Sequence, residues 1–155
     1  MKKNKKGTKK RKSSSKRNLG KYKSGLEKSC ADALRESGVS FAYEETQFEL
    51  VPSFRFPHRY LKMTAKKKNL TDRSNSVQQP IRYTPDFMGV KGQNWIIETK
   101  GWLSSHHDFP MRWKLFLKYL VDNDLHYDVY LCRTTLQVNE AIHDILLKYG
   151  QKRTK

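Results

Sequence analysis

The stretch IRYTPDFMGVKGQNWIIETKGW, residues 81–102, constrains this chain most. Two runs of good strand formers flank KGQN, whose glycine suits a tight turn. That pattern predicts a β-hairpin. Tyr83, Phe87, Trp95 and Ile97 make it a buried one. Charged residues nevertheless sit inside it: Asp86 after Pro85, then Glu98 and Lys100 two residues apart. Alternate residues of a strand share a face, so Glu98 and Lys100 project to the same side. Paired strands lie about 5 Å apart, so the hairpin brings Asp86 to Glu98. Two carboxylates that close repel each other, and on a buried strand they need partners or a cation. Mg2+ takes oxygen ligands, uses one or two carboxylates and keeps several waters. Lys100 can then reach a metal-bound water or a phosphate oxygen. These are the parts needed for phosphodiester hydrolysis, in which the metal acidifies water and offsets transition-state charge. The plainer alternative is a solvated Glu98–Lys100 pair at a sheet edge, worth under ~1 kcal/mol.

Charge points to the same kind of substrate. The 155 residues carry a net charge of +17, and residues 1–23 hold twelve Lys or Arg with no Asp or Glu. That arm has almost nothing apolar to bury and repels itself, so it is expected to be disordered when free. Lys9, Lys10, Arg11, Lys12, Lys16, Arg17, Lys21 and Lys23 are its expected phosphate contacts. Each phosphate neutralised releases condensed counterions, giving salt-sensitive affinity without sequence preference. A solubility tail or a nuclear localisation signal has the same composition. Lys66, Lys67 and Lys68, with Arg73, read as a second phosphate patch or as a solvated loop. The short basic end, residues 151–155, adds to the excess.

Other classes are disfavoured. No apolar run approaches the ~18 residues of a membrane span. The basic N-terminus lacks the apolar stretch of a secretory signal. Cys30 and Cys132 are isolated, with no metal-binding spacing, and read as core residues of a reduced, cytoplasmic protein.

The expected domain spans 24–150. A first helix starts at Ser24, with Leu26, Cys30, Ala33 and Leu34 as its apolar stripe and Gly38 as its stop. VSFAYEETQFELV reads as one long strand or a bulged one. Residues 58–80 read as a strand near 60–63 followed by a basic mobile loop. After the hairpin, His106, His107 and Asp108 read as a metal- or phosphate-binding cluster or, more simply, as a loop into a second helix, with Asp108 its N-cap and Pro110 in its first turn. Trp113, Phe116, Leu117 and Leu120 share a face of it. YDVYLC is a short strand with Val129 and Leu131 inward. Asn139 then caps a last helix with Ile142, Ile145, Leu146 and Tyr149 as its stripe. A mixed α/β sheet flanked by helices follows. Glu27 has two readings. With Ser24 it forms an S-x-x-E capping box. A carboxylate in the first turn of a helix packed on the sheet can also reach the metal site.

YTPDF and IETKG together contain the P-D…E-x-K signature of the PD-(D/E)xK nuclease superfamily. More narrowly SGLE, FAYEE, YTPDF and ETKG, in that order, resemble the phage endonuclease I family of Holliday-junction resolving enzymes. The resemblance covers residues 24–101, roughly half the chain, and fades after Gly101. It implies a restriction-endonuclease-like α-β-β-β-α-β core, followed here by a C-terminal helix. It also implies a Mg2+-dependent endodeoxyribonuclease acting on four-way or branched DNA, with one or two Mg2+ and Mn2+ able to substitute. Asp86 and Glu98 resemble the family's metal-binding carboxylates, Glu27 its helix glutamate and Lys100 its catalytic lysine. The backbone carbonyl of Thr99 would be a further ligand. Products with 5′-phosphate and 3′-hydroxyl ends and an intertwined homodimer are implied as well. The basic stretch between FAYEE and YTPDF is longer than the family pattern. A nuclease with another DNA target, or a basic nucleic-acid-binding protein without catalysis, stay open as alternatives.

Overall fold

The computed structural model describes residues 18–65, 67–101 and 107–150; of Lys67 and Lys68 it describes only the backbone. Helix α1 (Gly25–Glu36) starts where the Ser24 side chain accepts the Glu27 backbone N–H at 3.1 Å. It ends in a Schellman turn: Gly38 N–H donates to Arg35 and Val39 N–H to Leu34. Gly38 sits at φ +69°, a conformation that costs glycine little.

Strand β1 (Phe41–Tyr43) follows, and the expected long strand stops there. Glu44, at φ 51°, turns the chain, and β2 (Phe48–Val51) starts in a different sheet. The first hairpin strand divides in the same way. Ile81–Tyr83 forms β7, paired with β2, and Phe87–Gly89 forms β8, paired with β1. Pro85, which has no N–H to give a ladder, lies between them. Glu44 N–H donates to the Asp86 carbonyl across this double bend.

Between β2 and β7 the described residues form paired strands where the sequence suggests a loop. Phe54–Arg55 (β3) pairs with Val77–Gln78 (β6), and Leu61–Thr64 (β4) pairs with Lys67–Asp72 (β5), all antiparallel. Residues 48–83 therefore form an interrupted two-stranded ribbon that begins at the bend.

The main sheet has the order β1-β8-β9-β10, where β9 is Trp95–Thr99 and β10 is Asp128–Cys132. Its pairs are antiparallel except β9–β10, which is parallel. The β8–β9 turn has Lys91 and Gly92 both at positive φ, the type I′ geometry favoured by hairpins. Gly89 is needed beside it, because a Cβ there would lie 2.2 Å from the Gln93 carbonyl oxygen.

Helices α1 and α3 (Thr135–Tyr149) cover one face of this sheet, burying Phe87, Trp95, Ile97 and Cys132. Helix α2 (Phe109–Asp122) covers the other, where Phe116 and Leu120 meet Met88, Ile96, Phe48 and Tyr83. Both cysteines are buried and unbridged, as a core role requires. Three apolar assignments shift outward: Leu117, Leu131 and Leu146 are exposed, and Val138 and Ala141 join Ile142 and Ile145 inside. Thr134, not Asn139, caps α3, its hydroxyl accepting the Gln137 N–H at 3.3 Å. Asp108 sits at the N-cap of α2 but makes no capping bond; its carboxylate pairs with Arg112 at 2.9 Å. Among the described residues, no helix is long and apolar enough to cross a membrane.

Candidate active site

The hairpin register places the two carboxylates. Phe87 lies opposite Ile97 and Met88 opposite Ile96, so one step further Asp86 faces Glu98. The contacts interlock. Asp86 N–H donates to Glu98 Oε2 at 3.2 Å. Asp86 Oδ2 accepts from the Thr99 N–H at 2.8 Å and from the Thr99 hydroxyl at 2.7 Å. Lys100 Nζ lies 2.8 Å from Glu98 Oε1. It also lies 5.0 Å from the centre of the Phe109 ring at the start of α2, a favourable place for a cation.

Glu98 and Lys100 do not form a solvated edge pair. Their side chains are 3% and 23% exposed, and Asp86 and Thr99 are buried beside them. A buried carboxylate with a like charge opposite holds its proton tightly. Burial, then the charge of Glu98, pushes the Asp86 carboxyl up to about 7, although Thr99 and Lys100 pull the other way. Burial alone would lower the Lys100 pKa, but Glu98, Asp86 and Glu27 together raise it. Lys100 is therefore a stable cation at neutral pH, suited to orienting water or an anionic phosphate rather than removing a proton.

The two carboxylates together make an oxygen donor pair of the kind that Mg2+ takes. A cation would also relieve the Glu98 repulsion that, after burial, raises the Asp86 pKa. Among the described residues, no group of three or more His, Cys, Asp or Glu side chains is gathered around one metal position.

Glu27 has partners of its own. It comes from α1 on the face opposite α2, whereas Glu98 and Lys100 lie on the α2 side. Its Oε2 accepts from the Lys23 N–H at 2.9 Å and from the Tyr43 hydroxyl at 2.7 Å. It reaches the site through its charge, which acts on Lys100. The capping role is shared with α3. There Gln137 Oε1 accepts from the Arg133 N–H at 2.7 Å, one residue before the cap, as Glu27 does with Lys23. A neutral amide therefore does the same capping work at the equivalent position, and the charge of Glu27 is surplus to it.

Three contributors were not singled out in the sequence. Tyr43 anchors Glu27, and the Thr99 side chain, not only its carbonyl, holds Asp86. Tyr83 brings a buried hydroxyl without a hydrogen-bond partner among the described residues, and burial and Glu98 raise its pKa. A polar atom buried on an apolar strand, beside a carboxylate placed by register, was the available signal.

The expected DNA contacts divide. Lys9, Lys10, Arg11, Lys12, Lys16, Arg17 and Lys66 lie outside the described residues, as does His106. Lys67 and Lys68 open β5. Lys23 pairs with Glu44, and Lys21 lies 5.3 Å from the Tyr43 ring centre. The preceding arm joins the domain before Ser24, because Tyr22 is buried against Tyr43 and Phe87. A surface cavity lies away from the carboxylates, lined by Gly38, Lys91 and Tyr149 among others. Comparison with family models, curated proteins and solved structures returned no significant match.

Proposed function

We propose that this chain is a metal-dependent endodeoxyribonuclease with a restriction-endonuclease-like core, most like the Holliday-junction resolving enzymes. The observation that carries the reading is the buried Asp86–Glu98 pair, locked by Thr99 and faced by Lys100. The order α1, β1, β8, β9, α2, β10 supports the fold assignment, with the ribbon as an insertion between β1 and β8. In this reading Asp86, Glu98 and the Thr99 carbonyl hold Mg2+, or Mn2+ in its place. Bound there, the ion would supply Lewis acidity and lower the pKa of a water. Lys100 would orient the attacking water and offset charge on the phosphate oxygens. Thr99 fixes Asp86 through two hydrogen bonds, and α2 shields the Lys100 side through Phe109. DNA, bound by a homodimer at a branch point, completes the proposal. Relative cleavage of four-way junctions, plain duplex and single strands tests the substrate. Faster cutting of plain duplex would instead favour a nicking, repair or genome-processing nuclease.

Two further outcomes are expected. Glu27→Gln should leave thermal stability nearly unchanged, because Gln137 shows that an amide serves the same cap, yet reduce cleavage at least tenfold. Full activity with the amide would make Glu27 a helix-capping residue only. Deleting residues 1–17 should weaken DNA binding most at low salt and make log K against log salt shallower. An unchanged slope in a salt titration would remove the arm from the contact surface.

A further inference from the structure

The positive charge of the folded domain is concentrated in the ribbon. Residues 24–150 hold 17 Lys or Arg and 15 Asp or Glu. Residues 52–80 account for seven of those basic residues and one of the acidic ones, so the rest has 10 basic against 14 acidic. Outside residues 52–80 and the chain ends, the domain is therefore net negative and would repel a polyanion. Within residues 52–80 the one carboxylate, Asp72, is tied to Ser74 and lies in the field of Arg59. Arg59, Lys62 and Arg73 are exposed.

The ribbon is also short of protein partners. Helix α2 packs against its root strands, β2 and β7. Among the described residues no helix packs to that extent on β3, β4, β5 or β6. Isolated two-stranded ribbons are marginal in water, so this one gains from a surface to lie on. Met63 and Leu70 lie where the β4–β5 register shifts, between the Lys62–Thr71 and Thr64–Lys67 pairs. They are 69% and 63% exposed.

From these observations we propose that the β4–β5 hairpin is a groove-binding arm for duplex nucleic acid. A two-stranded ribbon fits the major groove in width, and apolar side chains on such arms can instead wedge into the minor groove. Arg59, Lys62 and Arg73 contact phosphates, while Met63 and Leu70 press on the sugar and base walls. The arm leaves the sheet at the bend where Asp86 sits. A duplex held along it thus leads to the carboxylate site. Binding by the arm does not require that the site cuts.

The test uses the full chain in EDTA, so that no cleavage occurs, with a fluorescent DNA duplex. The triple variant Arg59→Gln, Lys62→Gln, Arg73→Gln should bind at least tenfold more weakly at low salt. Its slope of log K against log salt should be shallower by roughly two to three. Met63→Ala with Leu70→Ala should weaken binding several-fold with the slope unchanged. Sedimentation of the same variants reads the alternative occupant, a second copy of the chain. Unchanged duplex binding in both variants would overturn the proposal, whether or not the sedimenting mass falls. Cleavage of a junction by the intact chain is scored separately, so failure of the arm and failure of the nuclease reading are distinct results.

Discussion

Lys100→Ala should lower DNA cleavage by roughly 10²- to 10³-fold, the scale lost when one preorganised charge-stabilising donor is removed. Junction binding should stay the same or tighten. Lys100 is mostly enclosed by Glu98 and the Phe109 ring, whereas the excess positive charge of the chain lies in the basic arm and the ribbon. Removing the ammonium also leaves Glu98 buried without its cation. Breaking a buried pair in this way costs on the order of 3–5 kcal/mol, so the variant should unfold at lower urea concentration in EDTA. Gel assays on a four-way junction, run beside urea melts, separate the effects. Cleavage at the wild-type rate in a folded Lys100→Ala protein would remove the lysine from the chemistry.

Asp86→Asn should abolish Mg2+-dependent cleavage and yet stabilise the protein in EDTA above neutral pH. The native carboxyl is raised from 3.8 to about 7. In the unfolded chain the group ionises first, so between those values the native state binds more protons than the unfolded one. Its contribution to stability is complete below the unfolded value and is lost as pH rises through about 7. At about 1.4 kcal/mol per unit, the loss is on the order of 4 kcal/mol across that window. Asparagine has no such proton and keeps an acceptor for Thr99. Wild-type stability should therefore fall between pH 4 and 7 more steeply than that of Asp86→Asn, and the variant should be the more stable at pH 8 by up to a few kcal/mol. Mg2+ should recover stability in the wild type and do little for the variant. Parallel pH profiles for the two proteins in EDTA would contradict the raised carboxyl. Mg2+ binding requires the ionised form, so cleavage at limiting Mg2+ should also rise with pH through about 7.

How far each part was legible follows from how local its causes are. The Asp86–Glu98 meeting was legible because turn geometry fixes a hairpin register, and Phe87 does face Ile97. Helix α1 announced itself through Ser24 and Gly38, whose capping chemistry lies within a few residues of each end. The ribbon was not legible. Its distal strands run two to six residues, are interrupted by Pro52 and Pro57, and bury no continuous face. Only cross-strand pairing defines them, and pairing leaves a weak mark on composition. The split at Pro85 was hidden by apolar residues on both sides, because Tyr83 packs under α2 and Phe87 under α1 and α3. The cap of α3 was legible in the spacing of Thr134 and Gln137 and lost to the stronger cap preference of Asn139. Glu27 lay beyond sequence reasoning, since which face of the sheet a helix covers is a tertiary matter.

The most direct measurement is cleavage of a four-way DNA junction by the intact chain, with Mg2+ withheld and then restored. The account predicts no cutting in EDTA, cutting on addition of Mg2+ with 5′-phosphate and 3′-hydroxyl ends, and loss of that response in Asp86→Asn. Cutting that persists in EDTA, or survives in Asp86→Asn, would contradict a metal held at Asp86 and Glu98.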